Sequence, residues 1–121
     1  MLRCVLIGIV FGILAETSAR ALSLWIYRRA HYPLVNVLVI FGLVMGGIAA
    51  VVPQIGVLPA LLLGIAAGLL YEVINLAVLD WWYFPGERLA FIHGHAAIVA
   101  VLALLWGVVP VAIAAVHVAV F

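Results

Sequence analysis

The nine residues Gly64-Ile65-Ala66-Ala67-Gly68-Leu69-Leu70-Tyr71-Glu72 restate an earlier stretch, Gly8-Ile9-Val10-Phe11-Gly12-Ile13-Leu14-Ala15-Glu16. Each places two glycines and a glutamate at i, i+4 and i+8. On an α-helix these positions fall on nearly one face. Both stretches are apolar enough to sit in lipid, so each carries a carboxylate on a small-residue stripe. Shifting the chain by 56 overlays residues 8–27 on residues 64–83 with eight of twenty positions identical. The identities are Gly8/Gly64, Ile9/Ile65, Gly12/Gly68, Leu14/Leu70, Glu16/Glu72, Ala21/Ala77, Trp25/Trp81 and Tyr27/Tyr83. Further on, Val51-Val52-Pro53 returns as Val108-Val109-Pro110 with an offset of 57. The pattern predicts two helical hairpins, one a duplicate of the other, pointing the same way and related by an axis along the membrane normal.

Composition sets the class. Of 121 residues, 71% are hydrophobic and 7% charged, and the mean hydropathy is +1.50. Soluble domains sit near ~45–50% apolar and ~25% charged. A soluble fold of this length has too little interior to hide so much apolar surface. The expected fold class is therefore an all-α integral membrane protein: one four-helix domain over residues 1–121, with repeat one over about 1–56 and repeat two over about 57–121. Net charge is +1 and there is no Lys, so no basic tract suggests nucleic acid. The single Cys4 excludes an intramolecular disulfide and a cysteine-based metal site. Arg3 and the apolar run after it look slightly like a signal peptide. The run reads straight into Glu16 and Arg20 with no cleavage-type tail, so it is taken as the first spanning helix.

Four spans follow from hydropathy and from the ~20 residues needed to cross a bilayer. They run from about Leu2 to Tyr27, Pro33 to Val52, Pro59 to Trp82, and Leu89 to Val118, the last with Pro110 as a kink. The link Pro53-Gln54-Ile55-Gly56 is a turn without charge. Two aromatic, charged loops lie at the opposite end. Arg20, Arg28, Arg29 and Arg88 outnumber Arg3, and the positive-inside rule places those loops in the cytoplasm and both termini outside. The expected location is a bacterial inner (plasma) membrane.

The polar residues are the candidate site. Glu16, Glu72, Arg20, Asn75 and Asp80 are candidates for proton or ligand binding. A carboxylate inside a span is costly and normally faces protein or water. Against that stands a static ion pair, since Glu16 and Arg20 are i, i+4 in the favourable order. Glu72 has Leu76 where the arginine would recur. Gly8, Gly12, Gly42, Gly46, Gly64 and Gly68 form small-xxx-small pairs that let helices approach closely. Trp25, Tyr27, Trp81, Trp82 and Tyr83 read as interface-belt anchors; as a second reading they wall a headgroup or cation site. His93 and His95 are i, i+2 and make a poor metal pair on a helix. No catalytic triad and no cofactor motif is visible.

Ile13-Leu14-Ala15-Glu16 and Tyr83-Phe84-Pro85-Gly86-Glu87-Arg88-Leu89 resemble strings of the small multidrug resistance transporters. The resemblance covers about a tenth of the chain and implies small, oligomeric transport. The third span departs from that family by carrying Glu72 and by lacking its aromatic substrate-facing residues. Three functions are expected to compete. One is a homo-oligomeric (dimeric) transporter or channel-like subunit whose glutamates titrate or bind a cation. Another is an accessory subunit docked on a second membrane protein. The last is a lipid or isoprenoid enzyme that uses a buried glutamate as acid/base.

Overall fold

In the computed structural model, residues 1–83 and 94–121 are described, without the side chains of residues 76 and 94–99. The expected start of the last helix at Leu89, and His93 near it, lie outside the described residues. The His95 side chain lies outside them too. Helix α1 is Leu2–Leu22 and α2 is Tyr32–Ile55. Helix α3 is Val57–Leu79 and α4 is Gly94–Val120. All four are long and apolar enough to cross a membrane. Two short strands, β1 (Ile26–Tyr27) and β2 (Trp82–Tyr83), pair antiparallel.

The helices stop where the backbone turns left-handed. Ser23 (φ 51°) ends α1 and Asp80 (φ 48°) ends α3, earlier than hydropathy alone suggests at both places. Such φ values are unusual outside glycine and are tolerated in short polar residues. Gly56 (φ 87°) makes the α2–α3 turn, so α2 runs on through Pro53 to Ile55. Asn36–Met45 in α2 and Asn75–Leu79 in α3 are wound as π-helix. Such segments are rare and recur at functional sites.

Two pairings dominate the bundle, α1 with α2 and α3 with α4, and they use the same parts. A Cβ on Gly8 would run into the Phe41 carbonyl, and one on Gly12 would lie 2.9 Å from Phe41 Cβ. A Cβ on Gly64 would lie 2.7 Å from the Trp106 carbonyl oxygen, and one on Gly68 would collide with the Trp106 side chain. The reverse contacts match too. A Cβ on Gly42 would meet Ile9 Cγ1 at 2.9 Å, and one on Gly107 would meet Ile65 Cγ1 at 2.6 Å. Gly46 closes the other end of α1–α2, where its Cβ would fall 2.8 Å from the Cys4 carbonyl oxygen. The offset between equivalent partners is 56 on α1/α3 and 65 on α2/α4. Phe41 and Trp106, one from each pair, meet at the centre with ring centroids 4.8 Å apart, within a core that includes Met45, Ala49, Ile113 and Ala114.

The strand register has a matching property. Ile26 pairs with Tyr83 and Tyr27 with Trp82. Adding 56 to one partner and subtracting it from the other returns the same two pairs. Arg28 N–H extends the ladder to the Trp81 carbonyl at 2.8 Å. At the far end the termini meet, with the Arg3 guanidinium 4.5 Å over the Phe121 ring.

Candidate functional site

The ladder end of the bundle holds both glutamates, because each sits near the C-terminus of its helix and the strands fold back over it. Glu16, half-buried on α1, accepts three hydrogen bonds. Tyr27 OH donates to Oε1 at 2.6 Å and Trp25 Nε1 to Oε2 at 3.4 Å. The Asn36 amide on α2 donates to Oε1 as well, and to the Tyr27 hydroxyl at 3.2 Å. Asn36 is only 3% exposed, and its Oδ1 finds no donor among the described residues. Leaving a buried acceptor unmatched costs ~1–3 kcal/mol. Burial, followed by the hydrogen bond to Glu16 and its charge, pushes the Tyr27 hydroxyl above the ordinary tyrosine range. Tyr27 therefore stays a donor.

Glu72 on α3 is held differently. It is 4% exposed, and two indoles grip it: Trp82 Nε1 donates to Oε2 and Trp106 Nε1 to Oε1, both at 3.3 Å. Tyr71, next to it, packs between Trp82 and Trp106, and its buried hydroxyl has no partner among the described residues. Asn75, fully buried, shapes the backbone. Its Oδ1 accepts from the N–H groups of Trp81 (2.8 Å) and Trp82 (3.4 Å), and its Nδ2 donates to the Trp82 carbonyl (3.1 Å). That clamp fixes β2 on the end of α3.

The structure thus separates the sequence candidates. Glu16 gathers Trp25 and Tyr27, and Glu72 gathers Trp82. The ion-pair alternative for Glu16 is not seen: among the described residues no cation lies within 4.0 Å of either glutamate, and the one salt bridge joins Arg28 Nε to Asp80 Oδ2 at 3.0 Å. Trp82 is not a belt anchor in this structure but is buried inside (4% exposed), because its indole N–H has a carboxylate to reach. Trp81 stacks on Tyr32 with centroids 4.8 Å apart, and Tyr83 lies under the Arg28 guanidinium at 4.9 Å. Two residues the sequence did not single out matter most, Asn36 and Trp106. An amide at the start of a span reads as a helix-end residue, and a lone tryptophan within one reads as core; neither carries a local signal of what it touches.

Glu16 also lines a pocket of about 570 Å³ at this end, with Arg20, Arg28, Arg29, Trp25 and Tyr27 on its walls. Volumes of this order suit a small-molecule site. Compared with protein-family models, with characterised proteins and with solved structures, the chain matches none. The two strings that resemble small multidrug resistance transporters therefore gain no support.

Proposed function

We propose that the chain is a small integral membrane protein of homo-oligomeric, transporter-like type in which Glu16 is the carboxylate that takes up a proton or a small cation. The observation that carries this is the Glu16 shell. Its partners are all neutral donors, Trp25, Tyr27 and Asn36, and the carboxylate opens on a pocket. A carboxylate paired with an arginine has its charge already met. One held only by neutral hydroxyl, indole and amide groups keeps a negative charge that a proton or a small cation can meet. The Asn36 amide serves both states: Nδ2 donates to the ionised acid, and a turn of the amide presents Oδ1 to a protonated one.

Membrane insertion is supported by surface. Only 22 to 39% of each span's most apolar window is buried, so the helices expose most of their apolar side chains outward. An apolar surface this large on a soluble chain marks association or a membrane. The duplication is supported by the strand register and by the matched glycine contacts. On this reading the hairpins correspond with an offset of 65 in their second helices, and the Val-Val-Pro echo at 57 does not mark equivalent sites. A single bundle has a thin core, so a pathway would form between copies, with the aromatic end in the cytoplasm.

Carbodiimide labelling, which attacks protonated carboxyls in apolar surroundings, tests the proposal when paired with proton flux in liposomes. The expected result is label on Glu16 and not on Glu72, with flux that is lost in E16Q. No label on Glu16, and flux unchanged in E16Q, would overturn it, and an accessory subunit would become the leading reading.

A further inference from the structure

Three of the five arginines in the chain, Arg20, Arg28 and Arg29, line one pocket. Topology alone asks only that arginines lie at one end of a membrane protein, not that they share a cavity. Arg28 is partly committed to Asp80, whereas Arg20 and Arg29 make no ion pair among the described residues. Three guanidiniums and one carboxylate, Glu16, line the pocket, so its lining carries an excess of positive charge even with Arg28 shared with Asp80. That suits a phosphodiester, which carries one negative charge. Guanidinium groups fit phosphate oxygens through two parallel hydrogen bonds. Depth agrees as well. The pocket lies at the C-terminal end of α1, where Ser23, Trp25 and Tyr27 line it, and aromatic side chains at the end of a spanning helix meet lipid headgroups.

We propose that this pocket binds the phosphate ester of an anionic lipid, held by Arg20 and Arg29 with Arg28 at its edge. The inference rests on the membrane reading but not on titration of Glu16. Basic pockets between spanning helices on the cytoplasmic side are a known way of holding such headgroups. Trp25 and Ile26 supply an apolar wall on which the glycerol and first acyl carbons lie. The chemistry recognised is the phosphate ester, and a soluble phosphorylated compound would present the same group.

Native mass spectrometry of the purified full-length protein separates the sources. The probes are phosphatidylglycerol, dioleoylglycerol, which has tails and no phosphate, and glycerophosphoglycerol, which has the same phosphodiester and no tails. Phosphatidylglycerol is expected to be retained over dioleoylglycerol, and the double variant R20Q/R29Q to weaken it about tenfold. Glycerophosphoglycerol binding equally well, and equally lost in R20Q/R29Q, overturns the lipid assignment and gives the same site to a soluble ligand. Arg20 and Arg29 are exposed and their side chains make no hydrogen bond or ion pair among the described residues, so the variant should fold; far-UV circular dichroism checks this, and R29Q alone repeats the test more gently. E16Q removes a negative charge from the same wall and is expected to bind at least as tightly. The proposal is overturned if phosphatidylglycerol and dioleoylglycerol are retained alike, if R20Q/R29Q binds as wild type does, or if E16Q abolishes binding. Loss of the flux result with lipid retention intact would sink the transport reading and leave this one standing.

Discussion

Glu16 and Glu72 occupy the same place in two copies of one glycine-and-glutamate pattern, and their surroundings diverge. Glu16 is half-buried beside a pocket, with a hydroxyl, an amide and an indole on it. Glu72 is sealed, with an indole on each oxygen. The divergence begins on the opposing helices. Phe41 packs on Gly12 as Trp106 packs on Gly68. A phenyl ring has no N–H to offer, so Glu16 lacks the donor that closes its counterpart. A second cause lies in α3. From Glu72 to its left-handed cap is one residue longer than from Glu16 to Ser23, and the π-wound segment Asn75–Leu79 lies in that interval. The loop after the cap is one residue shorter, so the ladder register is kept while the aromatic side chains slip by one. Trp82, the counterpart of Ile26, therefore becomes the donor to Glu72, and Trp81, the counterpart of Trp25, does not. The lesson is that a repeated motif preserves helix packing more faithfully than it preserves the chemistry at the helix end.

The sharpest way to break this comparison is to remove each carboxylate. E72A strands two buried indole N–H groups, each costing ~1–3 kcal/mol, so a loss of about 3 kcal/mol is expected. E16A leaves Trp25 and Tyr27 on the pocket wall and Asn36 still donating to the Tyr27 hydroxyl, and about 1 kcal/mol is expected. Thermal unfolding in detergent, followed by circular dichroism, reads both. Equal losses would mean that the two sites are equally closed.

Exchanging the closing residue comes next. W106F gives α4 the phenyl ring that α2 already carries at Phe41. It deletes one hydrogen bond to an otherwise buried acid, for an expected cost of about 1–2 kcal/mol. It should also let carbodiimide reach Glu72, which wild type protects. Unchanged protection in W106F would show that Trp106 is not the seal.

Tyr27 sharpens the contrast by pH. Its folded-state pKa lies above the ordinary value of about 10, so above that pH the unfolded chain releases a proton that the folded one keeps. Stability is then full below about pH 10 and falls as pH rises, by up to about 1.4 kcal/mol per pH unit. Y27F is expected to remove this contribution to the alkaline loss of stability at a neutral-pH cost of about 1 kcal/mol. Indole donors do not titrate in this range, so those on Glu72 add nothing to the slope. Identical alkaline slopes for wild type and Y27F would contradict the assignment.

How much of this could be read from the chain follows the same division. The four helices, the ladder aromatics and the glycine stripes are legible because hydropathy and i, i+4 spacing are local properties. Their partners are not. Nothing near Phe41 or Trp106 says that each will lie on a glycine of a preceding helix, and nothing near Asn36 says that it will reach a glutamate twenty residues back. The local rule that favours Glu16–Arg20 at i, i+4 is outweighed by tertiary donors, since Tyr27, Trp25 and Asn36 occupy the carboxylate. The helix end at Ser23 is also hidden, because serine barely interrupts hydropathy; Asp80 does mark polarity, but Trp81 and Trp82 beyond it carry the expected helix too far.

The smallest effects are expected at those two caps, where charge and backbone can be separated. Asp80 is left-handed and carries the exposed ion pair to Arg28. Ser23 is left-handed with no such pair among the described residues. Asparagine tolerates this backbone about as well as aspartate does, so D80N tests the charge alone; exposed pairs contribute ~0.2–1 kcal/mol, and about 0.5 kcal/mol is expected. Alanine lacks the short polar side chain that supports a left-handed residue, so D80A adds a backbone cost of about 1 kcal/mol. S23A carries the backbone cost without the charge, which places it between D80N and D80A in unfolding temperature. If D80N proves as damaging as D80A, the Arg28–Asp80 pair and not the left-handed turn supports the Asn75 clamp on β2. The ends of α1 and α3 would then differ in how their strands are fastened as well as in how their glutamates are closed.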